Sequence, residues 1–348
     1  MYTTFKETAK DISEEEYRTD GMMHYSTLAT YHREGFEGLK NLFVKKESPS
    51  LTLGSVVDIL ITGSMEEFMD KFIVKDFTPL SPAYAKVTEL LYSKYGDTCK
   101  ELFLIRDENI EEAAQLCEFY KTWRAATRIK VIKEQCSEYY HLLCDKGDKT
   151  LISRDTANTA RDMVLALHTS DATKEYFEKD NPFDNSIERL YQMKYSSVFN
   201  DVGYSCMADL IYVDHVNKKV YPCDLKTTGH PEYLFYQSFI TWCYHIQARL
   251  YWRIIRDNMD RHPLFKDYSL EDYIFIVINS TCKNPLTWKY SDTQKTGTLY
   301  YGKDGKTECR DPFDLGTELS EYIKTNPSVP AGISGTNPND IVLWLNKN

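Results

Sequence analysis

The sequence has no apolar stretch long enough to cross a membrane, no CxxC pair and no excess of positive charge. A membrane-spanning helix needs a run of about 18 apolar residues, and the 348-residue chain contains none. Its first 20 residues are polar and acidic, unlike the basic and then apolar pattern of a secretory signal. The sequence therefore predicts a cytoplasmic protein without a membrane partner.

Cysteine usage and net charge exclude further classes of protein. The nine cysteines are an odd number and lie within apolar or helical stretches, which predicts reduced thiols rather than a disulfide scaffold or a structural zinc. The formal net charge of −10 argues against nonspecific nucleic-acid binding over the whole surface. A locally basic groove remains compatible with that charge.

Length and composition indicate a globular protein. Hydrophobic residues make up 42% of the chain, whereas glycine and proline number only 15 and 12, far from the proportions of a disordered or collagenous chain. No repeat or long linker divides the sequence, so we expect one domain over residues 1–348. Apolar residues at helical spacing predict a helical lobe over 81–180, and β-branched segments predict a core sheet with a helix over 183–291.

The order of the predicted elements indicates the fold class. Helices are expected over 53–61, 232–257 and 312–325, and strands over 187–195, 204–213, 220–226, 273–279 and 286–290. Helices followed by a sheet that starts antiparallel and contains an inserted helix indicate an α+β, or mixed α/β, fold.

The stretch YSCMADLIYVDHVNKKVYPCDLKTT, over 204–228, carries the candidate chemistry. As a hairpin that turns at 215–218, it places Asp209 opposite Asp224, where two carboxylates repel unless a cation lies between them. Lys226 projects from the same face, since side chains alternate along a strand. This pattern suits Mg²⁺ or Mn²⁺ beside an ammonium group. A solvated hairpin face with ordinary surface charges is the open alternative.

Residues outside the hairpin favour the site. Asp58 lies within the apolar segment LGSVVDILITG, where a carboxylate is costly unless it is ion-paired or metal-bound. Gln247 and Tyr251 are spaced i, i+4 on the predicted helix and share one face, while Arg249 and Arg253 share another. A single polar pair of this kind is also common on packed helices.

The candidate residues follow one another along the chain as Asp209, then Asp224 and Lys226 in DLK, then Gln247 and Tyr251 in QARLY. This series resembles the motifs of the PD-(D/E)XK nuclease superfamily, in its RecE-like, RecB-like and lambda-exonuclease-like branch. The segment from Gly54 to Asp58 is similar to a helix in these relatives that carries His where this chain has Asp. The resemblance implies a restriction-endonuclease-like core sheet flanked by helices. It also implies metal-dependent hydrolysis of linear double-stranded DNA in phage or bacterial recombination.

The resemblance further implies a role for each residue. Mg²⁺, for which Mn²⁺ can substitute, would be held by Asp58, Asp209, Asp224 and the Leu225 carbonyl. Lys226 would orient or help to deprotonate the attacking water. Gln247 and Tyr251 would position Lys226 and the DNA end. Glu188 is left open between a further ligand and a surface acid.

Relatives that hold an iron–sulfur cluster have three clustered cysteines downstream of the Gln–Tyr helix. Only Cys282 and Cys309 lie there in this chain, so no cluster is expected.

Candidate DNA contacts are the basic residues of the Gln–Tyr helix and of the helical lobe: Arg249, Arg253 and Arg256, and Arg124, Arg128, Lys130 and Lys133. Either cluster could instead be a solvated helix face. The resemblance implies a homo-oligomeric ring around DNA, in which a basic channel coexists with an acidic exterior, and a single-strand annealing protein as partner. Two alternatives remain: a structure-specific or restriction-type endonuclease, and a catalytically weak DNA-binding or assembly module of the same fold.

Overall fold

The computed structural model describes residues 4–39, 48–76, 80–179 and 183–325. These residues form an α+β protein, as the sequence predicts. The α-helices are α1 (Glu14–Arg18), α2 (Tyr25–Leu39), α3 (Pro49–Thr62), α4 (Met65–Lys71), α5 (Pro82–Tyr95), α6 (Asp107–Leu116), α7 (Ala125–Lys146), α8 (Arg154–Thr169), α9 (Lys174–Phe177), α10 (Phe235–Thr241), α11 (Tyr244–Arg261) and α12 (Pro312–Thr325). The strands are β1 (Phe72–Val74), β2 (Thr150–Ile152), β3 (Ile187–Phe199), β4 (Val202–Asp214), β5 (Lys219–Thr228), β6 (Ser269–Leu270), β7 (Tyr273–Asn279), β8 (Leu286–Tyr290), β9 (Leu299–Tyr301) and β10 (Thr307–Cys309). Within the described ranges, no helix combines the length and the apolar composition that a membrane crossing requires.

The chain forms two compact units. The larger comprises Met1–Gly54 and Asp162–Asn348, and the smaller comprises Ser55–Arg161. The helical lobe predicted over 81–180 overlaps the smaller unit, which begins and ends earlier in the chain. That the whole chain is one domain stays a prediction.

The smaller unit is mainly helical. Helices α5, α6 and α7 enclose a core that includes Val87, Leu91, Ile110, Ile132 and Tyr140. Strand β1 pairs in parallel with β2. The apolar residues of each helix recur at helical spacing, which is why the sequence predicts helices there.

The larger unit is built on a six-stranded sheet with the strand order β3-β4-β5-β7-β8, and β6 pairs with β5. β3, β4 and β5 are successively antiparallel, β5 and β7 are parallel, and β8 is antiparallel to β7. All seven residues of β7 are buried, which explains the apolar run over 273–278 that precedes Asn279. The strands predicted over 273–279 and 286–290 are confirmed at both ends, and the other three lie within longer strands.

The β4–β5 hairpin has the predicted register, with Asp214 opposite Lys219. Asp214 Oδ1 accepts hydrogen bonds from the backbone N–H groups of Val216 at 3.0 Å and Asn217 at 2.8 Å. An aspartate that binds its own turn in this way favours one loop conformation. Since the loop sets the register of a hairpin, this turn determines where Asp209 lies along β5.

The single helix predicted over 232–257 is wrong. A 3₁₀ turn at Glu232–Leu234 leads into α10, and α11 begins only at Tyr244. Between them Cys243 has a φ of 57°, a left-handed conformation that a right-handed helix cannot continue through. The Trp242 carbonyl accepts a hydrogen bond from the Tyr25 hydroxyl at 2.6 Å. The break gives α11 its own direction, with its apolar face against the sheet.

Candidate active site

Two aspartates of the hairpin lie near the middle of the sheet. Asp209 Oδ2 accepts a hydrogen bond from the backbone N–H of Leu225 at 3.0 Å, which ties its carboxylate to β5 beside Asp224. Asp224 is only 1% exposed, because β5 lies between β4 and β7 and α11 packs against these strands. A carboxylate so far removed from water needs a compensating charge.

Lys226 and Gln247 supply that compensation. Lys226 Nζ lies 2.5 Å from Asp224 Oδ2, and Gln247 Nε2 donates a hydrogen bond of 2.5 Å to Asp224 Oδ1. Such short contacts to an ionised group are stronger than those between neutral groups. The strand and the helix therefore meet at one buried carboxylate.

The ammonium group of Lys226 is enclosed on several sides. The side chain is 18% exposed, and Nζ lies 4.6 Å from the centroid of the Tyr244 ring. Burial is the largest single effect and would lower the pKa of Lys226, but the charge of Asp224, together with those of Asp209 and other neighbours, acts in the opposite direction, and the pKa lies above its usual value. The ammonium is thus a fixed positive charge beside the two aspartates.

Tyr251 lies one turn after Gln247 on α11 and is buried. Burial raises the pKa of its hydroxyl well above the usual value, and the negative charges of Asp224 and Asp209 act in the same direction. The ring packs against Tyr273 of β7, with 6.2 Å between centroids. Tyr251 is therefore a neutral hydroxyl held near the two carboxylates.

The oxygen atoms of this cluster fit a hard divalent cation. Gln247 Oε1 is buried and has no hydrogen-bond partner among the described residues, and buried Asp224 Oδ2 has the ion pair with Lys226 as its contact. Over the same residues, no three His, Cys, Asp or Glu side chains are grouped so that they could hold a metal. Mg²⁺ commonly takes one or two carboxylates and completes its octahedron with water and phosphate oxygens. Asp209 and Asp224 supply two such carboxylates, and a metal held by them and the Leu225 carbonyl stays a prediction.

Asp58 lies half-buried on α3. Gly54, four residues earlier on that helix, belongs to the larger unit, where a Cβ at this position would lie 3.0 Å from Thr227 Oγ1. The absence of a side chain at Gly54 thus allows the start of α3 to approach Thr227, the residue that follows Lys226 on β5. Asp58 itself falls in the other compact unit, and its role as a ligand stays a prediction.

Glu188 has structural partners. Its Oε2 accepts a hydrogen bond from the backbone N–H of Phe5 at 3.0 Å and lies 3.2 Å from Nε2 of His215. These contacts fasten the N-terminal segment and the hairpin turn to the start of β3. We therefore assign Glu188 to the scaffold rather than to the metal site.

Arg249 is a correction to the sequence-based interpretation. It is 2% exposed, and its guanidinium donates to the carbonyls of Lys295 at 3.0 Å and Gly297 at 2.8 Å and to Asp311 Oδ2 at 2.5 Å. These bonds hold the 295–297 segment and the start of α12 against α11. Arg249 is not an exposed contact for a DNA backbone.

The other candidate DNA contacts differ in whether their side chains are already paired with acidic residues. Arg253 is exposed, with its guanidinium 5.8 Å from the Phe199 ring centroid, and Arg256 lies 2.7 Å from Asp260. In the smaller unit, three of the four basic residues pair with acids: Arg128 with Glu111, Lys130 with Glu134 and Lys133 with Asp107. Arg256 is thus ion-paired like these three residues, and exposed Arg253 is the stronger candidate of the two on α11.

Sequence reasoning missed Tyr244. It precedes Gln247 by three residues and Tyr251 by seven, so all three lie on one face of α11. That spacing was visible in the sequence. Because the sequence predicted one helix running through 243, it did not show that Tyr244 lies at the start of a helix, with its ring against the ammonium group of Lys226.

Comparisons with known proteins give little for this chain. No family model matches it, and no curated protein sequence matches it. A crystal structure of a protein from Eubacterium rectale, provisionally named an exonuclease, is similar over 97% of this chain and 88% of its own, with 10% sequence identity and a TM-score of 0.38. A similarity that weak carries no argument about fold or activity.

Proposed function

We propose that this protein is a Mg²⁺-dependent deoxyribonuclease that degrades linear double-stranded DNA from its ends. The observation that carries the proposal is the buried carboxylate of Asp224, joined to Lys226 on its own strand and to Gln247 on α11, with Asp209 on the adjacent strand. The motif residues thus lie on strand, strand and helix, in the order that the nuclease resemblance implies.

The arrangement supports a division of roles. Mg²⁺ held by Asp209, Asp224 and the Leu225 carbonyl would polarise the scissile phosphate and lower the pKa of a bound water. Lys226 places a positive charge where negative charge develops at phosphorus, or orients the attacking water. Gln247 fixes the orientation of Asp224 through its amide N–H, and Tyr251 offers a hydroxyl donor.

DNA contacts outside the catalytic cluster are assigned to Arg253 and Arg256 on α11. Phosphate contacts of this kind are electrostatic and weaken with salt. Because the net charge is −10, we propose that basic residues face DNA inside a homo-oligomer whose exterior is acidic. A role in phage or bacterial recombination beside a single-strand annealing protein belongs to the same proposal.

The test is a time course on two substrates in Mg²⁺: linear duplex with 5′-phosphates, and the same sequence as a covalently closed circle. We expect the linear form to be consumed and the circle to be spared. Mn²⁺ should support the reaction, and EDTA should stop it. Rapid nicking of the circle would show an endonuclease, and DNA binding without hydrolysis would show a binding or assembly module.

Matched variants connect the activity to the site. Lys226→Met should abolish hydrolysis, whereas Lys219→Met should leave it unchanged. Lys219 also lies on β5, but its side chain is 42% exposed and 3.4 Å from Glu271, away from the cluster. Equal loss of activity in both variants would mean that the effect comes from charge or folding rather than from the site.

A further inference from the structure

A cavity of about 260 Å³ lies beside α11 in the larger unit. It is bounded by α11, the 293–297 segment, the start of α12 and the turn between β3 and β4. Arg249 and Arg253, spaced i, i+4, line it from one face of the helix, while Gln247 binds Asp224 from a different face. The cavity is therefore distinct from the candidate active site.

Arg249 lines this cavity, and most of its hydrogen-bond donors already have partners. Its Nε and Nη2 are bonded to Lys295, Gly297 and Asp311. Its Nη1 is buried and has no hydrogen-bond partner in the part of the chain that the structure describes. A buried charged donor without an acceptor is unfavourable.

The remaining lining is aromatic inside and basic at its edge. Phe199, Trp252 and Phe313 contribute aromatic side chains. Arg253 is exposed beside the ring of Phe199. Lys295 is exposed on the facing segment and is ion-paired with Asp292 at 2.8 Å. Aromatic side chains with cations next to them bind flat, negatively charged molecules, because the rings stack and the cations neutralise charge.

The two acids of the lining are compatible with such a ligand. Asp311 Oδ2 already accepts from Arg249 and from the backbone N–H of Gly297 at 2.8 Å. Asp314 is exposed, and a carboxylate at the rim can accept from the amino group of a base.

We propose that this cavity binds one nucleotide, with its base among the aromatic side chains and its phosphate beside Arg253. The volume of about 260 Å³ lies just below the range of roughly 300 to 1,000 Å³ of drug-sized sites and suits a single nucleotide. The choice of a nucleotide over other flat anions rests on the proposed nuclease function. Its source is either a DNA strand or a free mononucleotide.

Isothermal titration calorimetry on the full chain in EDTA tests the proposal without any hydrolysis. The probes are dGMP, deoxyguanosine, inorganic phosphate and a short single-stranded oligonucleotide. We expect saturable binding of dGMP, at least about tenfold weaker binding of deoxyguanosine because the charge-assisted contact is lost, and no measurable binding of phosphate alone. Competition between dGMP and the oligonucleotide indicates a site for a DNA strand, and binding of dGMP alone indicates a site for the free nucleotide.

Three variants locate the binding. Arg253→Ala should weaken dGMP binding about tenfold or more, whereas Arg261→Ala should not change it. Arg261 is an exposed arginine of the same helix, paired with Asp257, and does not line the cavity. Thr296→Trp, at an exposed position of the lining, should fill the space and abolish binding with the fold intact.

Absence of saturable dGMP binding, or binding that survives Thr296→Trp unchanged, would overturn the proposal. Either result can occur while linear DNA is still degraded, in which case the nuclease proposal stands alone. Conversely, dGMP binding by a protein that hydrolyses no DNA would support the cavity and remove the nuclease proposal.

Discussion

Asp224→Asn separates the stabilising role of the site from its chemistry. Asparagine keeps an acceptor for Gln247 but leaves the ammonium of Lys226 without its counter-charge, at a contact of 2.5 Å. Removing one partner of a buried ion pair costs about 3 to 5 kcal/mol. Because Lys226 is 18% exposed and lies over the Tyr244 ring, we expect the lower part of that range, about 3 to 4 kcal/mol. If repulsion between the facing carboxylates of Asp209 and Asp224 dominated, Asp224→Asn would instead raise the stability, since it removes one of the two like charges.

The assay is urea unfolding in EDTA of the wild type, Asp224→Asn, Lys226→Met and the double variant. The pair is in direct contact, so we expect strong coupling: the double variant should be less destabilised than the sum of the single variants. Mg²⁺ should stabilise the wild type, by about 2.7 kcal/mol at a hundred times its dissociation constant. Asp224→Asn should lose most of that stabilisation and all hydrolysis.

Two results would refute this reasoning. Unchanged stability of Asp224→Asn in EDTA would mean that the ion pair contributes nothing. Undiminished stabilisation by Mg²⁺ would mean that the cation binds elsewhere, and the assignment of Asp224 as a ligand would fall with it.

Three further predictions concern other parts of the chain. Asp58→Asn should weaken Mg²⁺ binding in calorimetry, with partial rescue of turnover by Mn²⁺; unchanged affinity with a lower melting temperature would show a structural ion pair instead. Arg256→Ala should weaken DNA binding equally for all sequences and reduce the slope of log K against log salt by about 1; an unchanged slope would remove this residue from the interface. Burial, together with the charges of His32 and Arg249, lowers the pKa of His245 to about 3. Below about pH 6.5 the unfolded chain therefore binds a proton at this histidine that the native state does not bind, and the free energy of unfolding should decrease towards pH 3 by up to about 1.4 kcal/mol per pH unit. His245→Phe should flatten that part of the stability profile. A profile identical to that of the wild type would show that this histidine does not control it.

The sequence determined the local structure wherever one element has one strong periodic signal. The apolar run that makes up most of β7 and the helical period of α12 identify both elements with their ends. The DHVNKK turn sets the hairpin register, because Asp214 binds the turn and period-two alternation fixes which face each side chain occupies. Asp209, Asp224 and Lys226 are therefore readable as one candidate cluster from a single hairpin.

Only the tertiary structure decided what those side chains contact. No local pattern shows that α11 restarts after Cys243 and so brings Gln247 to Asp224. The carbonyl just before the left-handed residue is bonded to Tyr25, which lies far away in the sequence. Arg249 reads as a surface base in a helical pattern, yet it is buried, because the segment at 295–297 and Asp311 fold over it from a distant part of the chain. Burial and partners depend on contacts between residues far apart in sequence, whereas periodicity reports only the face on which a residue lies.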